Sequence, residues 1–167
     1  MQIAIRMFEP LASLLRRCIG RDTSRPLQMA AAAIPFQLRH SNPPGLWTSP
    51  RLTQMVEVQG ARLIYLSGQT AADAQYRVRG SDVRTQAHAV YDNIEIALRA
   101  AGATWDNVVK TTTYLTDAAL IKDFREARME RFRNLKATPA NTLLVVSRLA
   151  EPEFLIEVDV VAAVPAG

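Results

Sequence analysis

The sequence predicts a single α+β domain in which two helices cover one face of a five-to-six-stranded mixed sheet. Three observations lead there. Strand-like and helix-like stretches follow one another from Leu52 in the order β-β-α-β-α-β-β. Both helical stretches are amphipathic, so each has one apolar side to bury, and a single sheet face satisfies both. The chain has 167 residues, 49% hydrophobic and 22% charged, which suits one globular domain and excludes collagen-like, coiled-coil and disordered classes.

The elements follow in order. Met55, Val56 and Val58 lead to a turn at Gly60, and Ala61 to Leu66 is a second strand, a hairpin that ends in Ser67-Gly68-Gln69. Ser81 or Asp82 caps a helix whose apolar positions Val83, Ala87, Val90, Ile94, Ala97, Leu98 and Ala101 recur at helical spacing, and Gly102 stands where a left-handed cap belongs. Val108 to Leu115 is β-branched and aromatic, a third strand. Thr116 or Asp117 opens a second helix to about Asn134, with Leu120, Phe124, Ala127 and Phe132 on its apolar side. Thr142 to Leu149 and Leu155 to Val164 complete the set as strands four and five.

The last strand also describes the face that the helices leave uncovered. Ile156, Val158, Val160 and Ala162 point one way, whereas Leu155, Glu157, Asp159 and Val161 point the other. A half-apolar face of this kind, left open to water, marks association, so the sequence predicts an oligomer packed sheet to sheet.

Residues 1–45 read as an N-terminal extension, with residues 46–167 the domain. Pro10, Pro26, Pro35, Pro43 and Pro44 interrupt the extension, and its six arginines against Glu9 and Asp22 carry the whole +4 net charge of the chain. The remainder holds fourteen charges of each sign and is neutral, so the basic balance says little about what the domain binds. No uninterrupted apolar run reaches the roughly 18 residues of a membrane span, so no membrane partner is expected. The extension is an idle tail, a docking arm, or an arginine-rich transit segment, or else Met29 is the true start. A cytoplasmic protein is expected, or one of an organelle matrix if the extension is a transit segment.

Several chemistries are excluded by residue type. The single cysteine, Cys18, provides neither an internal disulfide nor a cysteine-rich zinc site, and His40 and His88 have no metal-ligand spacing, so no metal site is expected. Glycine-rich phosphate loops, nucleophile elbows and serine-histidine triads are absent from the sequence.

Five pieces in order then resemble a known family: Gln54 through Leu66 into Ser67-Gly68-Gln69, Tyr91-Asp92-Asn93-Ile94 with Ala100-Ala101-Gly102-Ala103, Val109 to Asp117, Pro139-Ala140, and Ile156-Glu157-Val158-Asp159. Together they resemble the Rid/YjgF family of reactive intermediate deaminases, also labelled endoribonuclease L-PSP. The resemblance implies a chorismate-mutase-like fold, a homotrimer with sheets facing inward, and ligand clefts between neighbouring subunits. It also implies hydrolysis of 2-imino or enamino acids to a keto acid and ammonia, with no cofactor.

Residue by residue, the resemblance implies Glu157 as the group that orients water, and a substrate held by the Gly68-Gln69 backbone and by the residue after Pro139-Ala140. That residue is an arginine in the active deaminases, and here it is Asn141. A charge-assisted, two-pronged grip on a carboxylate thereby becomes a neutral hydrogen bond of about 1 kcal/mol, so an ordinary 2-imino acid should bind poorly and a neutral substrate be preferred. Leu52 replaces a common aromatic of the cleft wall, and Arg128 stands where the second helix often has an asparagine. Arg128 either belongs to a salt-bridged solvent face among the charges of that helix or replaces the missing cation. Asp159 shares the face of Glu157 about 7 Å away, too weak a basis for a paired-carboxylate hydrolase.

Three functions compete. The first is hydrolysis of a small imine, enamine or related metabolite, the second is metabolite binding without turnover, and the third is an endoribonuclease. A neutral domain without a visible aromatic-and-basic surface argues against nucleic acid as the partner.

Overall fold

The computed structural model of the protein describes residues 34–167. The readings placed on residues 1–33 lie outside the described residues.

The expected extension nevertheless contributes an element. Gln37–Ser41 forms strand β1, which pairs antiparallel with β2, Met55–Gln59. Regular structure therefore reaches back to Gln37, within the stretch read as the extension. The sequence QLRHS has one strongly apolar residue, Leu38, so alternation gives no signal, and the backbone of β2 supplies the pairing.

The expected hairpin across Gly60 is also corrected. β3, Ala61–Thr70, pairs not with β2 but with β6, Ile156–Pro165, antiparallel. Gly60 lies at φ +58, and a Cβ there would overlap the backbone of Ile34 and Pro35, so this glycine lets the earlier chain cross behind the turn. The six strands accordingly divide into a two-stranded sheet, β1-β2, and a four-stranded sheet of order β3-β6-β4-β5, rather than one sheet of five to six. Within the larger sheet β4, Val108–Leu115, is antiparallel to β6 and parallel to β5, Ala140–Val145, so the sheet is mixed. β5 ends four residues earlier than expected, at Val145 rather than Leu149.

Helix α1, Val83–Ala100, begins at Asp82, whose carboxylate accepts hydrogen bonds from the Thr85 amide at 2.9 Å and the Thr85 hydroxyl at 2.7 Å. It ends in a Schellman turn: Ala103 N donates to Leu98 O at 2.8 Å, Gly102 N donates to Arg99 O at 3.1 Å, and Gly102 takes φ +71. The second helical stretch opens with a 3-10 turn, Ala118–Leu120, capped by Asp117, and continues as α2, Ile121–Phe132.

Both helices lie on one face of the larger sheet. Val90, Ile94 and Leu98 of α1, Phe124, Ala127 and Phe132 of α2, and Ile156, Val158, Val160 and Ala162 of β6 are buried together. Tyr91, Trp105 and Phe132 close one end of this core, with ring centroids 5.3–5.7 Å apart. The opposite face presents Leu63 and Tyr65 of β3 and Leu144 of β5, which are 46%, 73% and 41% exposed. Among the described residues no helix is long and apolar enough to cross a membrane.

Candidate functional site

A cavity of about 320 Å³ opens at the β5 edge, between α2 and the segment that precedes β2. Backbone pairing carries that segment to the site. Thr53 bridges Ala140 in parallel register, Leu52 bridges Ser49, and Gln54 Nε2 donates to the Trp47 carbonyl at 2.7 Å. The cavity is lined by Trp47, Arg51, Leu52, Arg125, Arg128 and Asn141, so three of the anticipated substrate-binding residues meet in it.

Asn141 sits opposite Thr111 in the β4-β5 register, and its Oδ1 accepts a hydrogen bond from the Thr111 hydroxyl at 2.9 Å. Thr111 is buried on the helix side of the sheet, so Asn141 belongs to that side too. Its remaining amide N–H groups are available to the cavity that it lines.

Arg128 is the charged member of the group, and its surroundings depart from a salt-bridged solvent face. Two of the three carboxylates of α2 are engaged elsewhere, Glu126 and Glu130 with Arg84, and Glu130 also with His88 at 3.2 Å. Arg131 pairs with Asp92 and Glu95. Arg128 has no ion-pair partner among the described residues. Its guanidinium lies over the Phe132 ring, 4.8 Å from the centroid, and Nη1 makes a long 3.5 Å contact to the Arg51 carbonyl. Nη2 is buried and makes no hydrogen bond. Burial, with Arg125 close by, pulls the pKa of Arg128 below the usual arginine value, and it stays a cation near neutrality. A buried N–H of a charged group without an acceptor costs stability, which an incoming anion would recover.

Glu157 occupies the other face. It faces Tyr114 of β4 and alternates with the buried Ile156 and Val158. A bulge in β3 between Leu66 and Gln69 brings Gly68 beneath it, and a Cβ on Gly68 would overlap the Glu157 carboxylate. Gly68 therefore makes room for the carboxylate. Burial, and secondarily the charge of Asp159, hold the Glu157 pKa above the usual glutamate range. Asp159 in turn accepts a hydrogen bond from the Tyr114 hydroxyl at 2.9 Å.

One chain does not unite these two groups of residues. Gly68 and Gln69 lie on β3 and Asn141 on β5, the two edge strands of the sheet, three strand spacings or roughly 14 Å apart. Gln69 turns back on its own strand, with Nε2 donating to the Ser67 carbonyl at 3.0 Å. Glu157 faces away from the side that carries Asn141 and Arg128.

Trp47, Arg51 and Arg125 were missed by the sequence reading. The first two fall before the first recognised strand, and the third looked like one more charge on a charged helix. Trp47 is the signal that was available, since a tryptophan in a proline-rich stretch outside any apolar period has no core to join, and the structure leaves it 74% exposed.

Residues 49–164 match the family described as endoribonuclease L-PSP. A RutC family protein of Synechocystis is 35% identical over 106 residues, 61% of this chain and 78% of that protein. A RutC family protein of Saccharolobus solfataricus is 36% identical over 101 residues, 60% of this chain and 78% of that protein. Among solved structures, a Rid family protein of Yersinia pestis matches with a TM-score of 0.68 and 29% identity, covering 76% of this chain and 98% of that one. A YjgF family member from Mycobacterium tuberculosis matches with a TM-score of 0.54 and 28% identity, covering 67% and 86%. The chain belongs to the Rid/YjgF family, the endoribonuclease L-PSP family, and has its α+β fold of a mixed sheet and two helices.

Proposed function

We propose that this protein hydrolyses a small anionic imine or enamine, releasing ammonia, in a cleft completed by a second copy of the chain in a homotrimer. The observation that carries this reading is Arg128, a cation without a carboxylate partner beside Asn141 in a cavity. The neutral-substrate preference expected from Asn141 alone gives way to an anionic substrate, because α2 supplies the guanidinium that β5 lacks. A hydrogen bond to such a charged group is worth about 1.5–3 kcal/mol.

The need for a second copy follows from the sheet. Asn141 and Glu157 back opposite faces and opposite halves of it, so a cleft with both takes them from different copies. The exposed Leu63, Tyr65 and Leu144 provide the apolar surface for that contact.

In this cleft Arg128 holds the substrate's anionic group, Asn141 donates a hydrogen bond, and the Glu157 carboxylate accepts a hydrogen bond from a water aimed at the C=N carbon. The water oxygen bonds to that carbon while its proton passes by way of Glu157 to the nitrogen. The hydroxyl proton of the resulting carbinolamine then passes by way of Glu157 to the amino nitrogen as the C–N bond breaks, leaving a carbonyl product and ammonia; an enamine enters the same course after tautomerising to its imine. No cofactor is required for these steps.

Ammonia release from a freshly generated 2-imino acid tests the reading. Turnover by the full chain is expected, with loss in Arg128→Gln and improvement in Asn141→Arg, which adds the guanidinium on β5. Binding of keto acids without any ammonia release would favour the second reading, a non-catalytic metabolite binder, to which the missing β5 arginine points. Wild-type affinity for keto acids in Arg128→Gln would remove Arg128 from the site.

A further inference from the structure

We infer that the Arg128 cavity takes a small molecule with two separate anionic groups, one held by Arg128 at its floor and one by Arg125 and Arg51 at its mouth. This rests on the reading of Arg128 as the anion holder and adds the substrate class. Arg125 and Arg128 are three residues apart on α2 and therefore neighbours on one helix face. Arg128 is half-buried, whereas Arg125 and Arg51 are exposed, so the cations stand at two depths. Arg51 reaches the cavity from the facing wall, where its carbonyl meets Arg128 Nη1.

Three guanidiniums line this cavity and no carboxylate does. Among the described residues none of the three has an ion-pair partner. A single carboxylate satisfies one guanidinium fork, which leaves two like charges facing each other across about 320 Å³. A second anionic group removes that repulsion. Trp47 and Leu52 add a flat apolar wall for the part of the ligand between the two charges. The volume, near the lower end of the usual range for ligand sites, about 300–1,000 Å³, suits a metabolite rather than a chain of nucleotides.

Isothermal titration of the full chain with pyruvate, 2-oxoglutarate, phosphoenolpyruvate and a twelve-nucleotide single-stranded RNA (about 12 residues, long enough to outspan the cavity) tests the inference. Pyruvate is expected to bind weakly and at least one of the two doubly anionic acids about tenfold more tightly, the better of them showing whether the second group is a carboxylate or a phosphate. In Arg125→Gln that preference over pyruvate should shrink to about twofold, and in Arg128→Gln all three acids should weaken. Equal affinity for pyruvate and both doubly charged acids overturns the two-anion inference and leaves the Arg128 reading standing. No binding of any acid overturns both. Tighter binding of the RNA than of either acid, with a steep salt dependence, overturns the small-molecule class in favour of a polyanion.

Discussion

The two edges of the four-stranded sheet carry opposite chemistry. At the β5 edge, on the helix side, the chain gathers Arg51, Arg125 and Arg128 around Asn141 without a carboxylate in the cavity wall. Toward the β3 edge, on the outer side, it sets Glu157 over Gly68, with Asp159 two residues further along the same face. Each group is poorly compensated where it stands: Arg128 has an unpartnered N–H, and the Glu157 pKa is held up by burial and by Asp159. A stretch neutral in total charge, residues 46–167, thus holds a basic cluster and an acidic one on opposite sides of the sheet. The difference teaches that the neutrality of the sequence hides its electrostatics; under the proposed function the two halves act together only where two copies meet.

The most drastic way to break this arrangement is to keep the copies apart. Leu144→Asp puts a charge on the exposed outer face, and we expect monomers in sedimentation and no measurable ammonia release, since Glu157 of one copy then no longer meets Asn141 of another. Full activity in a monomer would place the whole site within one chain. Next in size is Glu157→Gln, which should preserve assembly and keto-acid affinity but lower turnover 100-fold or more, the usual scale of a positioned acid or base. Turnover within threefold of wild type, on the order of 1 kcal/mol or less, would reduce Glu157 to a structural group.

A smaller effect is expected under the carboxylate. Gly68→Ala places a Cβ where the Glu157 carboxylate now rests, and turnover should fall about tenfold as the group is pushed aside. In the Glu157→Gln background the same change should add little, and additive losses would show that Gly68 acts by another route. The finest adjustment is in pH. Glu157 must be ionised to take a proton, and its pKa lies above the usual glutamate range, so activity should fall on acidification earlier than for an ordinary glutamate. Asp159→Asn removes the neighbouring negative charge, lowers the Glu157 pKa, and should move the acid limb of the rate profile down. The limb stays above the ordinary range because burial is the larger cause. A limb that moves up would reverse the assigned interaction.

Much of the architecture was legible in the sequence because it rests on local rules. The caps at Asp82 and Gly102, the limits of Val108–Leu115, and the inward set of Ile156, Val158, Val160 and Ala162 follow from capping chemistry, β-branching and alternation. Strand β1 was not legible, since a short polar strand exists only by virtue of its partner. The hairpin across Gly60 was misread, because the same turn residue serves two strands that stay together and two that part.

For the site, the sequence by itself determined which residue types are present: a carboxylate at Glu157 over a glycine, an asparagine in place of an arginine, and a helix dense in charge. Only the tertiary structure decided which of those charges are spent on one another. On α2 the spacing of Arg125, Glu126, Arg128, Glu130 and Arg131 allows many pairings, and α1 settles them by offering Arg84 and His88 to the acids and Asp92 and Glu95 to Arg131. Arg128 is left in the cavity wall without an acid because the choice of ion partner depends on distances across packed elements, which a linear sequence does not contain.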